Sequence, residues 1–369
     1  MKIKTITCHD VYNVGASLQA YALARYLNSL GHETEIIDYK PDYLVHYKLF
    51  GIGNPKYDKP FLREAYCLAK LPGKLKARFS KRKKEYDLFT KTYLPLTGKR
   101  YASNDELKND PPEADLYIAG SDQIWNTVFQ NGKDPAFYLD FAPENKCRAS
   151  YAASFAADDV DEAWKDTIRT RLSKLDFISV RENSGVEIVK ALLPEKEVVS
   201  VLDPVFLLRE AEWNEIEKDL ALSVPYLLLY DFDGNPEIGS FAKKTAEENG
   251  WKIFSVLPSP FADRCFSEEG PLSFLYLVHH AQLVVSNSFH ATAFSLIFGK
   301  PFTVFDRSEK INARMRDLIE AAGFPDAMNG RIALPGHDTG CVLRDLTEKS
   351  KQYLSQVVEK GNEKNTVRH

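Results

Sequence analysis

The residues of this chain whose types could do chemistry fall into five short groups: Asn13 with Gly15, Gly120-Ser121-Asp122, Ser154, Arg181, and Ser286-Asn287-Ser288 followed by His290. The last group is the most informative. The apolar run Leu283-Val284-Val285 stops at three small polar residues, and a helix-like stretch opens at Ala291. His290 and several backbone N–H groups therefore stand where a strand ends and a helix begins, a geometry suited to anions. Imidazole exchanges a proton near neutral pH, which makes His290 a candidate general acid or base; the plainer reading is a cap or a packed side chain. Arg181 directly follows Phe177-Ile178-Ser179-Val180, where a guanidinium presents a rigid fork to a carboxylate or phosphate. Its plainer reading is an ion pair with an acid such as Glu182. Asn-x-Gly and Gly-Ser-Asp are also ordinary turn chemistry, and Asp122 alone reads as a helix cap.

What the groups share is position, because each follows directly on a predicted strand. Open parallel sheets bind ligands beyond the carboxyl ends of their strands, so groups far apart in sequence can converge on one crevice. Lys2 to Thr7 reads as a strand, Gly15 to Ser29 as a helix and Glu33 to Tyr39 as a second strand, a βαβ opening. Residues 41–100 break the rhythm with Gly, Pro, tyrosines and a run of cations, and read as an insertion. Alternation resumes at Asp115 to Ala119 and continues to Leu202, completing a first Rossmann-like domain over residues 1–205. Asp203-Pro204 and the stretch to Pro225 read as a crossing, and a second set of alternating elements fills residues 206–342. A final helix within residues 343–369 is expected to return to the first domain. The predicted fold class is α/β, with two Rossmann-like domains facing across a cleft.

A length of 369 residues with 44% hydrophobic and 27% charged residues suffices for two cores and argues against disorder. No run is long and apolar enough to span a bilayer, and a cytoplasmic location is expected. Five dispersed cysteines, Cys8, Cys67, Cys147, Cys265 and Cys341, include no CxxC pair, which predicts reduced thiols. His279 and His280 are adjacent; neighbours on a helix point apart, so capping or packing is expected of them and no metal ligand is assigned. Lys70, Lys74, Lys76, Arg78, Lys81, Arg82, Lys83 and Lys84 crowd one segment, 70–84, despite a net charge of −4. A solvated helix face is the plain reading. The sharper one is peripheral contact with an anionic membrane surface or a phosphorylated lipid carrier, where each clustered cation gains about 1 kcal/mol. Motifs for nucleic-acid binding, P-loop hydrolysis, dinucleotide binding and zinc-dependent hydrolysis are missing.

Together, Asp10-Val11-Tyr12-Asn13-Val14-Gly15-Ala16-Ser17-Leu18-Gln19-Ala20, Gly120-Ser121-Asp122-Gln123-Ile124-Trp125-Asn126, Ser150-Tyr151-Ala152-Ala153-Ser154-Phe155, Ser179-Val180-Arg181-Glu182 and Ser288-Phe289-His290-Ala291 resemble the polysaccharide pyruvyl transferase family, in order, from about residue 3 to 322. The resemblance implies a fold like the B-type glycosyltransferases. It also implies phosphoenolpyruvate as donor, a saccharide acceptor on a cell-surface polysaccharide or its precursor, lipid-linked or free, and no cofactor beyond the donor. On the family pattern Arg181 engages the donor, His290 is the essential histidine and Lys310 a downstream donor-binding lysine. The chain departs from the pattern at Ser288, where several members carry arginine, and Lys310 or Arg314 is expected to supply the missing cation.

In the chemistry so implied, Ser286, Asn287, Ser288 and the N–H groups after them hold phosphate, while Asn13, Gly15, Ser121, Asp122 and Ser154 orient donor or sugar from the opposite domain. Tyr43 and Tyr47 stack on sugar or pack in the core. Two other readings fit the same features: a nucleotide-sugar-dependent glycosyltransferase that places a diphosphate at the same helix terminus, and a saccharide- or phosphate-binding protein without activity.

Overall fold

Segments such as Tyr226–Tyr230 and Leu283–Ser286 are buried along their whole length, as parallel strands are when helices cover both faces of a sheet. In the computed structural model, which describes residues 1–45, 77–307 and 313–366, these segments lie at the centre of one of two such sheets. The first sheet contains β1 (Lys2–Ile6), β2 (Glu33–Tyr39), β3 (Leu96–Tyr101), β4 (Leu116–Ala119) and β5 (Cys147–Ser150), in the order β3-β2-β1-β4-β5. Single bridges continue it from β5 to β6 (Ile178–Val180), which pairs with β7 (Val198–Ser200). The second contains β8 (Tyr226–Tyr230), β9 (Lys252–Ser255), β10 (Arg264–Cys265), β11 (Leu283–Ser286) and β12 (Phe302–Val304), in the order β10-β9-β8-β11-β12. Pairing between these strands is parallel throughout. The shared order means that each sheet reverses direction once, between β1 and β4 and between β8 and β11. Those reversals are where Rossmann sheets receive ligands. The fold is two Rossmann-like halves facing across a cleft, the B-type arrangement.

The reading of residues 41–100 as an insertion gives way in part. Leu96–Tyr101 is the edge strand of the first sheet, with Leu96 opposite Ile36, and the helix Lys81–Tyr93 leads into it. Its exposed Gly98-Lys99-Arg100 hides the strand in the sequence, since edge strands tolerate charge that central strands do not. The same helix ties the halves together: Lys81 pairs with Glu269, Arg82 donates to the carbonyls of Tyr12 and Ser267, and Lys218 meets Glu85 at 3.0 Å. Lys83 pairs with Asp87. Three of the clustered cations are thus engaged within the molecule, whereas Arg78 and Lys84 are exposed. Lys70, Lys74 and Lys76 lie outside the described residues.

One buried apolar cluster runs through both halves. Trp213, in the crossing segment, lies 5.7 Å from the ring of Tyr21 and 5.0 Å from that of Phe294. The final helix, His337–Thr366, packs on the first half: Tyr353 donates to the Ser150 carbonyl and the Ser350 hydroxyl accepts from the Leu202 N–H. Among the described residues no helix is long and apolar enough to cross a membrane.

Candidate active site

The loop after β11 is shaped by its own side chains. The Ser286 hydroxyl donates to the Tyr230 carbonyl and accepts from the Ser288 N–H. Asn287 accepts from the Phe232 N–H and donates to Asp231, joining the two loops at the second sheet's reversal. Ser288 caps the helix Phe289–Ile297 by accepting from the Ala291 N–H, so His290 falls in its first turn. From the other half, Asn13 caps the helix Val14–Ser29 by accepting from the N–H groups of Gly15 and Ala16. That helix start meets His290 at Gly15, where a Cβ would lie 1.9 Å from the imidazole Nδ1. Only glycine allows this approach. Gly15→Ala is therefore expected to push the His290 ring aside and cost about a hundredfold in turnover, with about 1–3 kcal/mol of stability lost to overpacking and partly offset by alanine's helix propensity. Steady-state kinetics beside a melting curve check this.

Between the halves lies a cavity of about 150 Å³, walled by Asn13, Gly15, Asp122 and Gln123 on one side and by Tyr230, Phe232, Asn287, Ser288, His290, Arg307 and Arg314 on the other. Asp203 stands behind His290. Its Oδ2 is 3.5 Å from His290 Nε2 and 2.8 Å from Arg181 Nη2, and its side chain is fully buried. Burial alone would raise the Asp203 carboxyl, but Arg181 and His290 beside it bring it down to about 2. With a carboxylate at Nε2, Nδ1 is the ring nitrogen on the Gly15 side. At 3.5 Å the two are not hydrogen-bonded, but a buried carboxylate on this side of the ring favours a proton on Nε2 and orients the imidazole.

Arg181 itself does not line this cavity. It donates to the Ser121 hydroxyl, lies 4.9 Å over the Phe289 ring, and borders a second cavity of about 270 Å³ with Asn183, Ser200, Asp203 and Asp317. Arg314 borders both cavities, and burial together with the neighbouring Arg181 charge lowers its guanidinium to about 10. Asp122 Oδ1 faces both arginines, 3.9 Å from Arg181 and 3.8 Å from Arg314. The loops carrying these groups include left-handed non-glycine residues at Tyr12, Asp122, Ala152 and Ala156, a conformation that costs free energy and gathers at functional sites.

The structure separates the remaining candidates. Ser121, Ser154 and Ser286 are buried, and each hydroxyl is committed to a neighbour: the Ala152 carbonyl, Glu182 and the Tyr230 carbonyl respectively. Glu182 is not the partner of Arg181, as the plain reading had it; it accepts from Ser154 and from the N–H groups of Phe155 and Ala156, and Asp203 takes the ion pair. Tyr43 donates to Asp134 and is not among the residues lining the cavity. Lys310 and Tyr47 lie outside the described residues. Sequence reasoning passed over Asp203, Gln123, Tyr230, Phe232 and Arg307. Arg307 stands just beyond β12 with its guanidinium 4.7 Å over Phe232, and Asp203 follows closely on β7, so the rule about carboxyl ends of strands applies to both.

A family model described as polysaccharide pyruvyl transferase matches residues 13–309. No curated protein matches the chain. Among solved structures, UDP-GlcNAc 2-epimerase from Neisseria meningitidis bound to UDP-GlcNAc is 13% identical with a TM-score of 0.45, over 98% of this chain and 94% of that one. UDP-N-acetylglucosamine 2-epimerase from Rickettsia bellii is 12% identical with a TM-score of 0.47, over 98% of each chain. The E. coli heptosyltransferase WaaC with ADP-2-deoxy-2-fluoro heptose is 11% identical with a TM-score of 0.39, over 83% of this chain and 88% of that one. The family match takes in β4, β6 and β11 and the loops that wall the cavity, from Asn13 to Arg307, and on that ground the chain belongs to the polysaccharide pyruvyl transferase family.

Proposed function

We propose that the protein transfers the pyruvyl group of phosphoenolpyruvate to two hydroxyls of a saccharide, forming a cyclic ketal and releasing phosphate. The observation that carries this reading is the pairing, in one small cavity, of a carboxylate-backed histidine with two arginines. His290 Nδ1 gives its proton to the methylene carbon of the donor while a sugar hydroxyl adds to the adjacent carbon, and the ring recovers a proton from that hydroxyl. Loss of phosphate leaves an oxocarbenium-like centre, and the second hydroxyl closes the ring, its proton leaving with phosphate. Arg307 and Arg314 meet the donor's carboxylate and phosphate, helped by N–H groups in the first turn of the helix Phe289–Ile297. Arg314 occupies the cavity wall beside Ser288 and serves as the cation that the resemblance finds missing there. Arg181 acts from behind by holding Asp203. The scheme needs no resident cofactor, since protons move through His290 and charge is met by guanidinium groups.

The test is to incubate the protein with phosphoenolpyruvate and a panel of diol-bearing glycans, measuring phosphate release and the mass gain of a ketal. Turnover with UDP- or GDP-sugars instead of phosphoenolpyruvate would replace this reading by glycosyl transfer, and binding without turnover by a binding protein. Arg314→Ala is expected to raise KM for phosphoenolpyruvate ten- to about a hundredfold, the size of one lost charge-assisted hydrogen bond, with a smaller fall in kcat. Initial rates over a donor titration separate the two constants.

A further inference from the structure

His279 ends the helix Pro271–His279, and His280 is its C-terminal cap, at φ −99° and ψ 2°. Leaving the helix there brings the second imidazole beside the first, with ring centroids 4.7 Å apart. The expectation that adjacent histidines diverge holds within a helix and fails at its end. Both rings converge on Glu217: His279 Nδ1 is 3.0 Å from Oε2 and His280 Nε2 is 3.3 Å from Oε1. One nitrogen from each ring and one carboxylate oxygen all lie within 4.8 Å of one another. Aromatic rings hold both imidazoles in place, Phe298 stacking on His279 at 4.6 Å and Tyr276 on His280 at 4.1 Å.

We propose that Glu217, His279 and His280 bind one divalent transition-metal ion of the zinc class. Zinc takes imidazole nitrogen and carboxylate oxygen at about 2.0–2.2 Å, which sets tetrahedral neighbours about 3.4 Å apart; the 3.0 and 3.3 Å contacts run to different oxygens of Glu217, and with a single oxygen the three ligand atoms lie within 4.8 Å, so a small side-chain rotation brings them to that spacing. Two imidazoles and a carboxylate are a three-ligand set, leaving further positions to water on the exposed side of His280. The second nitrogen of His279 faces Glu210 Oε1 at 3.8 Å, where an outer carboxylate orients a metal-bound imidazole. Lys300 is the cation near Glu210 and Glu217, and those two carboxylates offset its charge. The stacked rings lower the ordering cost of assembling the site. Glu210 and Glu217 belong to the crossing between the halves, whereas the histidines belong to the second half. A bound ion would join the two at the sheet end opposite the cleft.

The whole chain, stripped with a chelator, is titrated with Co²⁺ and then with Zn²⁺ in competition. Expected are a visible absorption band of low-coordinate Co²⁺, one ion per chain, displacement by Zn²⁺ and a higher melting temperature with Zn²⁺. His280→Ala, at a surface position away from the cleft, should remove the band and weaken Zn²⁺ binding by more than about a hundredfold, while Glu210→Gln weakens it about tenfold; pyruvyl transfer by His280→Ala stays unchanged. A Zn²⁺ titration that is the same in the wild type and in His280→Ala, or no Co²⁺ band in the wild type, overturns the site, because metal held elsewhere would survive that substitution.

Discussion

His290→Ala is expected to lower pyruvyl transfer by about 10²–10⁴-fold, the range that a positioned general acid or base contributes, and to leave the protein folded. The size follows from what the ring touches. His290 lines the cavity with Nε2 3.5 Å from the buried Asp203 carboxylate and Nδ1 against Gly15, itself a residue of the cavity wall. Among the described residues no other side chain in that wall replaces it: Asp122 is drawn to two guanidinium groups, and burial pushes the Tyr230 hydroxyl up to about 12. The fold should survive because Arg181 keeps its pairing with Asp203 and the Ser288 cap does not involve the imidazole. Donor affinity should change only a few-fold, since Arg307 and Arg314 remain. Single-turnover kinetics with phosphoenolpyruvate, beside a melting curve and a direct binding measurement, decide the matter; wild-type turnover in this variant would remove His290 from the reaction.

The motifs that lead to His290 were legible because a parallel strand buried on both faces reads as an apolar run, and whatever polar residue follows it stands at the ligand-binding edge. Asn13, Asp122, Asn287, Ser288 and His290 reach the cavity wall by that rule. The rule does not say which way a side chain points once the strand has ended. Ser286 ends β11, and Ser121, Arg181 and Ser154 follow β4, β6 and β5 within a few residues, yet their polar atoms serve the loops and the ion pair behind the cavity. Asp203 opens the crossing to the second half, where nothing in the sequence marks it, and its partners Arg181 and His290 stand 22 and 87 residues away in sequence. Leu96–Tyr101 escaped for a different reason: an edge strand can carry Gly98, Lys99 and Arg100 on its open side, so the alternation that marks a strand is lost. His279 and His280 show the same limit at a helix end, where one change in backbone direction reverses the side-chain relation that helical spacing predicts.

Asp203→Ala is expected to cost about 3–5 kcal/mol of stability at neutral pH, because it strands a buried guanidinium. Arg181 is 2% exposed at its side chain, and among the described residues its Nε and Nη1 already have no hydrogen-bond partner. Without Asp203 the nearest acid to Arg181 among the described residues is Asp122, at 3.9 Å, and the Val205 N–H loses the oxygen that caps the turn Pro204–Leu207. Part of this loss is a proton-linked quantity with a definite sign. Burial raises the Asp203 carboxyl while Arg181 and His290 lower it further, to about 2 in the folded protein against an ordinary 3.8. A depressed carboxyl contributes stability in full above its unfolded value and loses it as pH falls through the folded one, here about 2 kcal/mol in total. The gap between wild type and Asp203→Ala should therefore narrow by about 1 kcal/mol between about pH 7 and about pH 3 in urea unfolding, and a gap that stays constant would show that the ion pair does not carry the difference. Asp203→Asn separates the roles: it keeps the shape and an oxygen for the Val205 N–H, so it should destabilise less than alanine. Its amide can donate to Nε2 where the carboxylate could only accept, which favours the wrong imidazole tautomer. A variant that melts closer to wild type than Asp203→Ala, yet transfers the pyruvyl group far more slowly than wild type, is the pattern expected if Asp203 acts through His290 as well as through Arg181.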